Sequence, residues 1–152
     1  PGPTHMPDFM HPKAQSYWTN QLRGFHNLAP MDGLWIDMNE ISNFCNSNGV
    51  GQVCKNTNPK GCPAEGESQT KCCLVCETVD ANHPYDFPPY HIHNVWGNIS
   101  SRTVPVSSTQ YGNISMYNSH NLFGLTEQIA TNQALREIRQ ARPFVLSRSS
   151  FI

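Results

Sequence analysis

Apolar positions recur at helical spacing near the start of the chain, where Ala14, Trp18, Leu22 and Phe25 fall on one face. Pro12 stands where a first helical position tolerates proline, so the pattern predicts a turn and then a helix, with Gly24 weakening its end. After Pro30 the period changes. Gly33-Leu34-Trp35-Ile36-Asp37-Met38 is a short continuous apolar run broken by one carboxylate, the pattern of a strand buried on both faces whose end meets a site. From about Ser42 to His120 no period is sustained and Gly, Pro, Asn and Ser abound, with short strands expected only around Thr103 to Val106. A second helical pattern begins near Thr126, a residue suited to an N-cap. It runs through Ile129, Ala130, Ala134, Leu135 and Ile138, with Arg136 and Arg139 in its last turns. Pro143 follows it, and Phe144-Val145-Leu146 reads as a second buried strand ending in Ser147-Arg148-Ser149.

The order is helix, strand, long loop, helix, strand, with polar residues closing each strand. That alternation indicates an α/β fold with a parallel sheet, and the C-terminal ends of parallel strands are where barrel active sites lie. The long excursion is unusual, because structureless connections beyond about 15 residues in compact domains usually mean function or disorder. Six cysteines, Cys45, Cys54, Cys62, Cys72, Cys73 and Cys76, fall inside it. A structural zinc site normally shows two short-spaced cysteine pairs, and only one exists here. A zinc module would have to draw on Cys54, Cys62, Cys72 and Cys76; three disulfides stapling a polar loop fit the pattern better and require an oxidising compartment. Sequons at Asn98 and Asn113 point to the same secretory route.

Charge narrows the partners. The formal net charge is −1 and the basic residues are scattered, which leaves no electrostatic footprint for nucleic acid or an anionic membrane surface. No apolar run reaches the length of a membrane span and no leader pattern is present. The chain opens Pro1-Gly2-Pro3 without an initiator Met and stops at Phe151-Ile152 straight after a strand-like run, so it reads as an internal piece of a longer protein.

Asp37, closing an apolar strand beside Trp35, Ile36 and Met38, is costly to leave without partners or a purpose. The ordinary alternative is an aspartate capping the next turn through backbone N–H groups. Glu40 lies three residues on, too local a spacing to be informative about acid/base pairing. Trp35 and Met38 fill interiors more often than they line pockets. Arg148, at the mouth of the second strand, presents a rigid fork of donors suited to carboxylates or sugar hydroxyls, and its alternative is a structural ion pair with Asp37 or Glu40. For His120 a satisfied loop histidine is the simplest reading.

The whole run Gly33-Leu34-Trp35-Ile36-Asp37-Met38-Asn39-Glu40-Ile41-Ser42-Asn43-Phe44 resembles the signature of glycoside hydrolase family 31, which includes α-glucosidases and α-xylosidases. Met6-Pro7-Asp8-Phe9, His120-Asn121-Leu122-Phe123-Gly124-Leu125 and Arg142-Pro143-Phe144-Val145-Leu146-Ser147-Arg148-Ser149-Ser150-Phe151 are similar to further stretches of that family in the same order. The resemblance implies part of a (β/α)8 TIM barrel, about its fourth and fifth strands with flanking helices, and residues 1–152 as a piece of the catalytic domain. Residues 43–119 would be a long cysteine-rich insertion between strand and helix. It implies a retaining α-glycosidase, with Asp37 as nucleophile, Glu40 supporting it, and Trp35, Met38 and Arg148 holding the terminal sugar of an oligo- or polysaccharide. No cofactor or metal is implied. The family's acid/base aspartate lies in a Gly-Asp-Asn-like segment that these residues do not include, so the chain alone is expected to be inactive. An α-xylosidase shares the signature. A secreted carbohydrate-binding module, with Trp35 and Arg148 on sugar, is the reading from another class.

Overall fold

The computed structural model describes residues 5–41, 83–86, 88–90, 99 and 103–151. The chain divides into two compact units, one of residues 7–41, 109–114 and 118–152, the other of residues 1–6, 42–108 and 115–117.

In the first of these units, helix α1 spans Ala14–Leu28 and leads into strand β1, Gly33–Ile36. Helix α3, Phe123–Arg139, leads into strand β4, Phe144–Ser147. Between them in the chain come β2 at Thr109–Gln110, β3 at Ile114–Ser115 and a single helical turn α2 at Met116–Ser119. β1 and β4 pair in parallel, with Gly33 opposite Phe144, Leu34 opposite Val145, Trp35 opposite Leu146 and Ile36 opposite Ser147. A side chain at position 33 would begin 2.5 Å from the Phe144 carbonyl oxygen, so only glycine admits this approach.

The two helices meet through the small and medium residues that their periodicity places on one face. Ala14, Thr19 and Leu22 of α1 and Ala130, Thr131, Ala134 and Leu135 of α3 are buried. The polar members are satisfied: Trp18 Nε1 donates to Thr131 Oγ1 at 2.8 Å, and Gln15 Nε2 donates to Thr19 Oγ1 and to the Ala130 carbonyl, both at 3.1 Å. Phe9 packs edge-on against Trp18 and Phe123, tying the chain before α1 to both helices. At the entry to β1, Arg139 from the end of α3 binds both the carboxylate and the carbonyl of Asp32.

Several expectations are corrected. α1 begins at Ala14 with Lys13 as cap, because Pro12 belongs to the preceding turn closed by Ala14 N–H on the His11 carbonyl. It continues past Gly24 to Leu28, since one glycine costs a helix less than its neighbours' burial provides. α3 starts three residues before Thr126, out of a 3-10 turn at His120–Leu122, and the Thr126 hydroxyl caps nothing but bonds back to the Phe123 carbonyl. No strand forms at 103–106; the short strands lie at β2 and β3. The strands are not buried on both faces: on one face Ile36 is buried and Leu34 and Val145 are half-buried, and on the other Trp35, Phe144 and Leu146 are 65%, 66% and 49% exposed. In this unit α3 is the layer that packs on the pair, and a single helical layer covers a single face.

In the other unit, Asp86 is buried and accepts from the Ser107 backbone N–H at 3.2 Å and from the Ser107 hydroxyl, with His83 Nδ1 at 3.9 Å. Tyr85 stacks on Tyr117. All six cysteines and Asn98 lie outside the described residues. Among the described residues no helix is long and apolar enough to cross a membrane, and no group of three His, Cys, Asp or Glu side chains is placed to hold a metal ion.

Glu127 on α3 gives a pH dependence. Burial pushes its carboxyl up to about 7, from an ordinary value of 4.5. The folded chain therefore holds this proton to higher pH than the unfolded chain does, and stability falls as pH rises between those two values. Glu127→Gln is expected to raise the melting temperature at pH 8 and leave it nearly unchanged at pH 4, read from thermal melts of the two proteins side by side.

Candidate active site

β1 and β4 are short, and the chain leaves both of them in the same direction. Strand alternation carries the exposed face, Trp35 on β1 and Leu146 on β4, one step further to Asp37 and Arg148. The side chains meet there. Arg148 Nε lies 3.2 Å from Asp37 Oδ1, and Nε and Nη2 hold the two oxygens of Glu40 at 2.8 and 2.7 Å. A guanidinium bound in this forked manner is oriented as well as charged. Asp37 Oδ1 also accepts the Met38 backbone N–H at 2.9 Å, while Oδ2 has no hydrogen bond among the described residues. Nη1 of Arg148 likewise makes none.

Electrostatics follow from this contact. The hydrogen bond from Arg148 holds the Glu40 carboxyl below the usual carboxylate value, against a smaller opposing effect of burial. The same bond raises the Arg148 pKa further, with the charges of Glu40 and Asp37 adding to it. Burial lowers the pKa of His120, in the 3-10 turn before α3, and a hydrogen bond with Asn121 opposes it.

The backbone between the two carboxylates is sharply turned. Met38 and Ile41 both have positive φ, 54° and 53°, a conformation non-glycine residues adopt rarely and at a cost of about 1–3 kcal/mol each. The turn sends Asn39 inward, where it is 2% exposed, and leaves Glu40 at the surface. The Asn39 carboxamide spans the gap to the end of β4. Its Nδ2 donates to Ser147 Oγ at 2.7 Å and to the Ser149 carbonyl at 3.2 Å, and its Oδ1 accepts the Ser149 backbone N–H at 3.0 Å. Ser147 Oγ in turn donates to the Ser149 carbonyl at 3.0 Å. α3 closes the same place: a Cβ at Gly124 would lie 2.2 Å from the Ser149 carbonyl oxygen and 2.9 Å from that of Asn39.

Of the residues singled out in the sequence, Asp37, Glu40 and Arg148 come together, and Trp35 shares their open face. The ion pair weighed as the ordinary alternative for Arg148 is present, with both carboxylates. Met38 contributes a half-buried turn residue and a backbone donor. Asn113 stands exposed in a turn with φ 59°. Asn39, Ser147, Ser149 and Gly124 were not singled out as functional. Their signal is weak in one dimension: Asn39 is an unremarkable polar residue between two carboxylates, and its partners lie 108 and 110 positions away.

Such a cluster provides a carboxylate with one oxygen held and one open, next to a cation with a free N–H. Comparison with known proteins fits it. The α-xylosidase 1 of Arabidopsis thaliana is 40% identical over the whole chain, which spans 16% of that protein. The α-glucosidase of Mucor javanicus is 40% identical over 99% of the chain and 19% of its own length, and the lysosomal α-glucosidase of Mus musculus is 37% identical over 99% and 13%. The chain thus spans less than a fifth of these curated relatives. In fold it is similar to the crystal structure of the ER glucosidase II complex, with a TM-score of 0.50 at 23% identity over 93% of this chain and 10% of that one. Residues 1–152 match throughout the family described as "Glycosyl hydrolases family 31 TIM-barrel domain". This chain therefore belongs to glycosyl hydrolase family 31 and forms part of its TIM-barrel domain.

Proposed function

We propose that the protein carrying this chain is a retaining α-glycosidase that releases terminal α-linked glucose from oligo- or polysaccharides, with Asp37 as its nucleophile. The observation that carries the reading is the state of Asp37. One oxygen is fixed by the Met38 N–H and Arg148, and the other is open on a barrel strand's exposed face. A retaining mechanism needs an ionised carboxylate to attack the anomeric carbon and a protonated one about 5–5.5 Å away to protonate the leaving oxygen. Asp37 displaces the leaving group and forms a covalent glycosyl ester; water then attacks the same carbon and frees the carboxylate, its proton taken by the second group. Glu40 is already bound to Arg148 through both oxygens, so it is not the acid/base group. Arg148 offers its free N–H to a hydroxyl of the bound sugar, Glu40 holds the guanidinium in place, and Trp35 and Met38 line the sugar's pocket.

A second reading is favoured by one comparison: the Arabidopsis α-xylosidase matches the whole chain at 40% identity. The two activities share a nucleophile and differ in how the pocket treats the sugar's C6 group, so turnover of aryl α-glucoside against aryl α-xyloside separates them. The lysosomal α-glucosidase among the relatives supports a secretory route for this protein. That route suits disulfides among Cys45, Cys54, Cys62, Cys72, Cys73 and Cys76 and glycans at Asn98 and Asn113.

Replacing Asp37 with Asn in the full-length protein is expected to lower kcat by roughly 10³-fold or more at unchanged fold. Turnover within a few-fold of the parent would refute the role of Asp37. Exchanging Arg148 for Met is expected to weaken kcat/KM by about 10²-fold and to move the Glu40 titration up toward its ordinary value. The sign follows from the lowered carboxyl: the contribution of the Arg148–Glu40 pair is present above pH 4.5 and is lost as pH falls through the folded value. Carboxyl NMR titration of the two proteins reads it. Intact mass of the secreted protein without reductant should show six fewer hydrogens on these cysteines than after reduction.

A further inference from the structure

Three charged side chains form the proposed centre, and none of them is buried enough to hold itself in place. Arg148 is 48% exposed, and Asp37 and Glu40 are each 37% exposed. Ion pairs at such exposure are weakened by solvent, and a sugar's hydroxyls compete for the same donors. Something else must keep the segment after β1 aligned with the segment after β4.

We propose that Asn39 is the positioning residue of this centre, its buried carboxamide joining the two strand ends in the alignment at which Arg148 reaches both carboxylates. The inference rests on the reading of Asp37 as nucleophile and adds a residue to it. Asn39 lies two positions after Asp37 and one before Glu40, and its partners Ser147 and Ser149 flank Arg148 on either side. Every member of the centre is therefore within two residues of the joint. The nitrogen of the carboxamide, with two acceptors, and its oxygen are engaged across the gap. An aspartate offers no donor to the Ser149 carbonyl and brings a third negative charge beside two others. A leucine of similar size would leave the half-buried Ser149 N–H without its partner. The positive φ values at Met38 and Ile41 bracket the turn that directs Asn39 inward. Gly124 lets α3 close over the joint from a third side, its Cα bare against the Asn39 and Ser149 carbonyls. These are features of a joint whose geometry, more than its mere burial, is being kept.

The test is a double-mutant cycle in the full-length protein, using whichever aryl α-glycoside it hydrolyses, with rates expressed per folded molecule from near-UV circular dichroism. Asn39→Ala is expected to lower kcat/KM by about 10–10²-fold in the parent, the loss that a misplacement near 1 Å produces. In an Arg148→Lys background the same change should cost less than about 3-fold, because the group whose placement it secures is already compromised. A residue that only stabilises the fold gives the same proportional loss in both backgrounds, and that result, or no loss per folded molecule, overturns the proposal. Where Asn39→Ala does not fold, Ser147→Ala removes one hydroxyl of the joint and enters the same cycle with the same two outcomes. Asp37→Asn is measured alongside. If it is inactive while the cycle is multiplicative, Asn39 alone is misassigned; if it retains turnover, the reading of the site falls and this inference with it.

Discussion

The parallel register of β1 on β4 continues one step beyond its last ladder pair, Ile36 on Ser147, and there sets the carboxylate of Asp37 against the guanidinium of Arg148. Every feature of the centre follows from that alignment. Shifting the register by one residue would turn Arg148 to the opposite face and leave Asp37 beside a serine, since strand side chains alternate with a period of two. Gly33 admits the close contact at the start of the pair, where Phe144 approaches too closely for any Cβ, and Arg139 on Asp32 fixes the chain as it enters β1. The register is thus held at its beginning by backbone proximity and at its end by the Asn39 carboxamide.

Energy is distributed unevenly across the unit. The interface of α1 and α3 is apolar with its few polar groups satisfied, as the Trp18 bond to Thr131 illustrates. The opposite face of the strands is open, with Trp35, Phe144 and Leu146 in solvent. A large apolar surface at the mouth of a charged centre is costly as a finished exterior but well suited to a barrel interior, where side chains of neighbouring strands cover it. Membership in a TIM-barrel family supplies that setting. Charged groups then stand at the C-terminal ends of the strands, the location shared by the active sites of this fold.

Much of this was legible from the chain. The helical periods of α1 and α3, the two apolar strand runs and the polar residues closing them were read directly, and the resemblance of the Gly33-to-Phe44 region to the family stands with the match over the whole chain. Element edges were not. Thr126 looks like a cap because its local sequence allows one, whereas the helix begins at Phe123 out of a 3-10 turn, and Gly124 in its first turn lies against Ser149, 25 residues away. Both strands read as buried on both faces because continuous apolar runs do not distinguish a second layer of helix from a barrel interior. Asn39 escaped notice because an asparagine's importance lies in its partners, and those come from the far end of the chain.

The central claim is that the carboxylate ending β1 attacks carbon, and a mechanism-based label reports that event directly. Treating the intact protein with a cyclitol epoxide and mapping the adduct by peptide mass should place the label on Asp37, with activity lost in proportion to labelling. Inactivation with the adduct on another carboxylate, and Asp37 unmodified, would contradict the account.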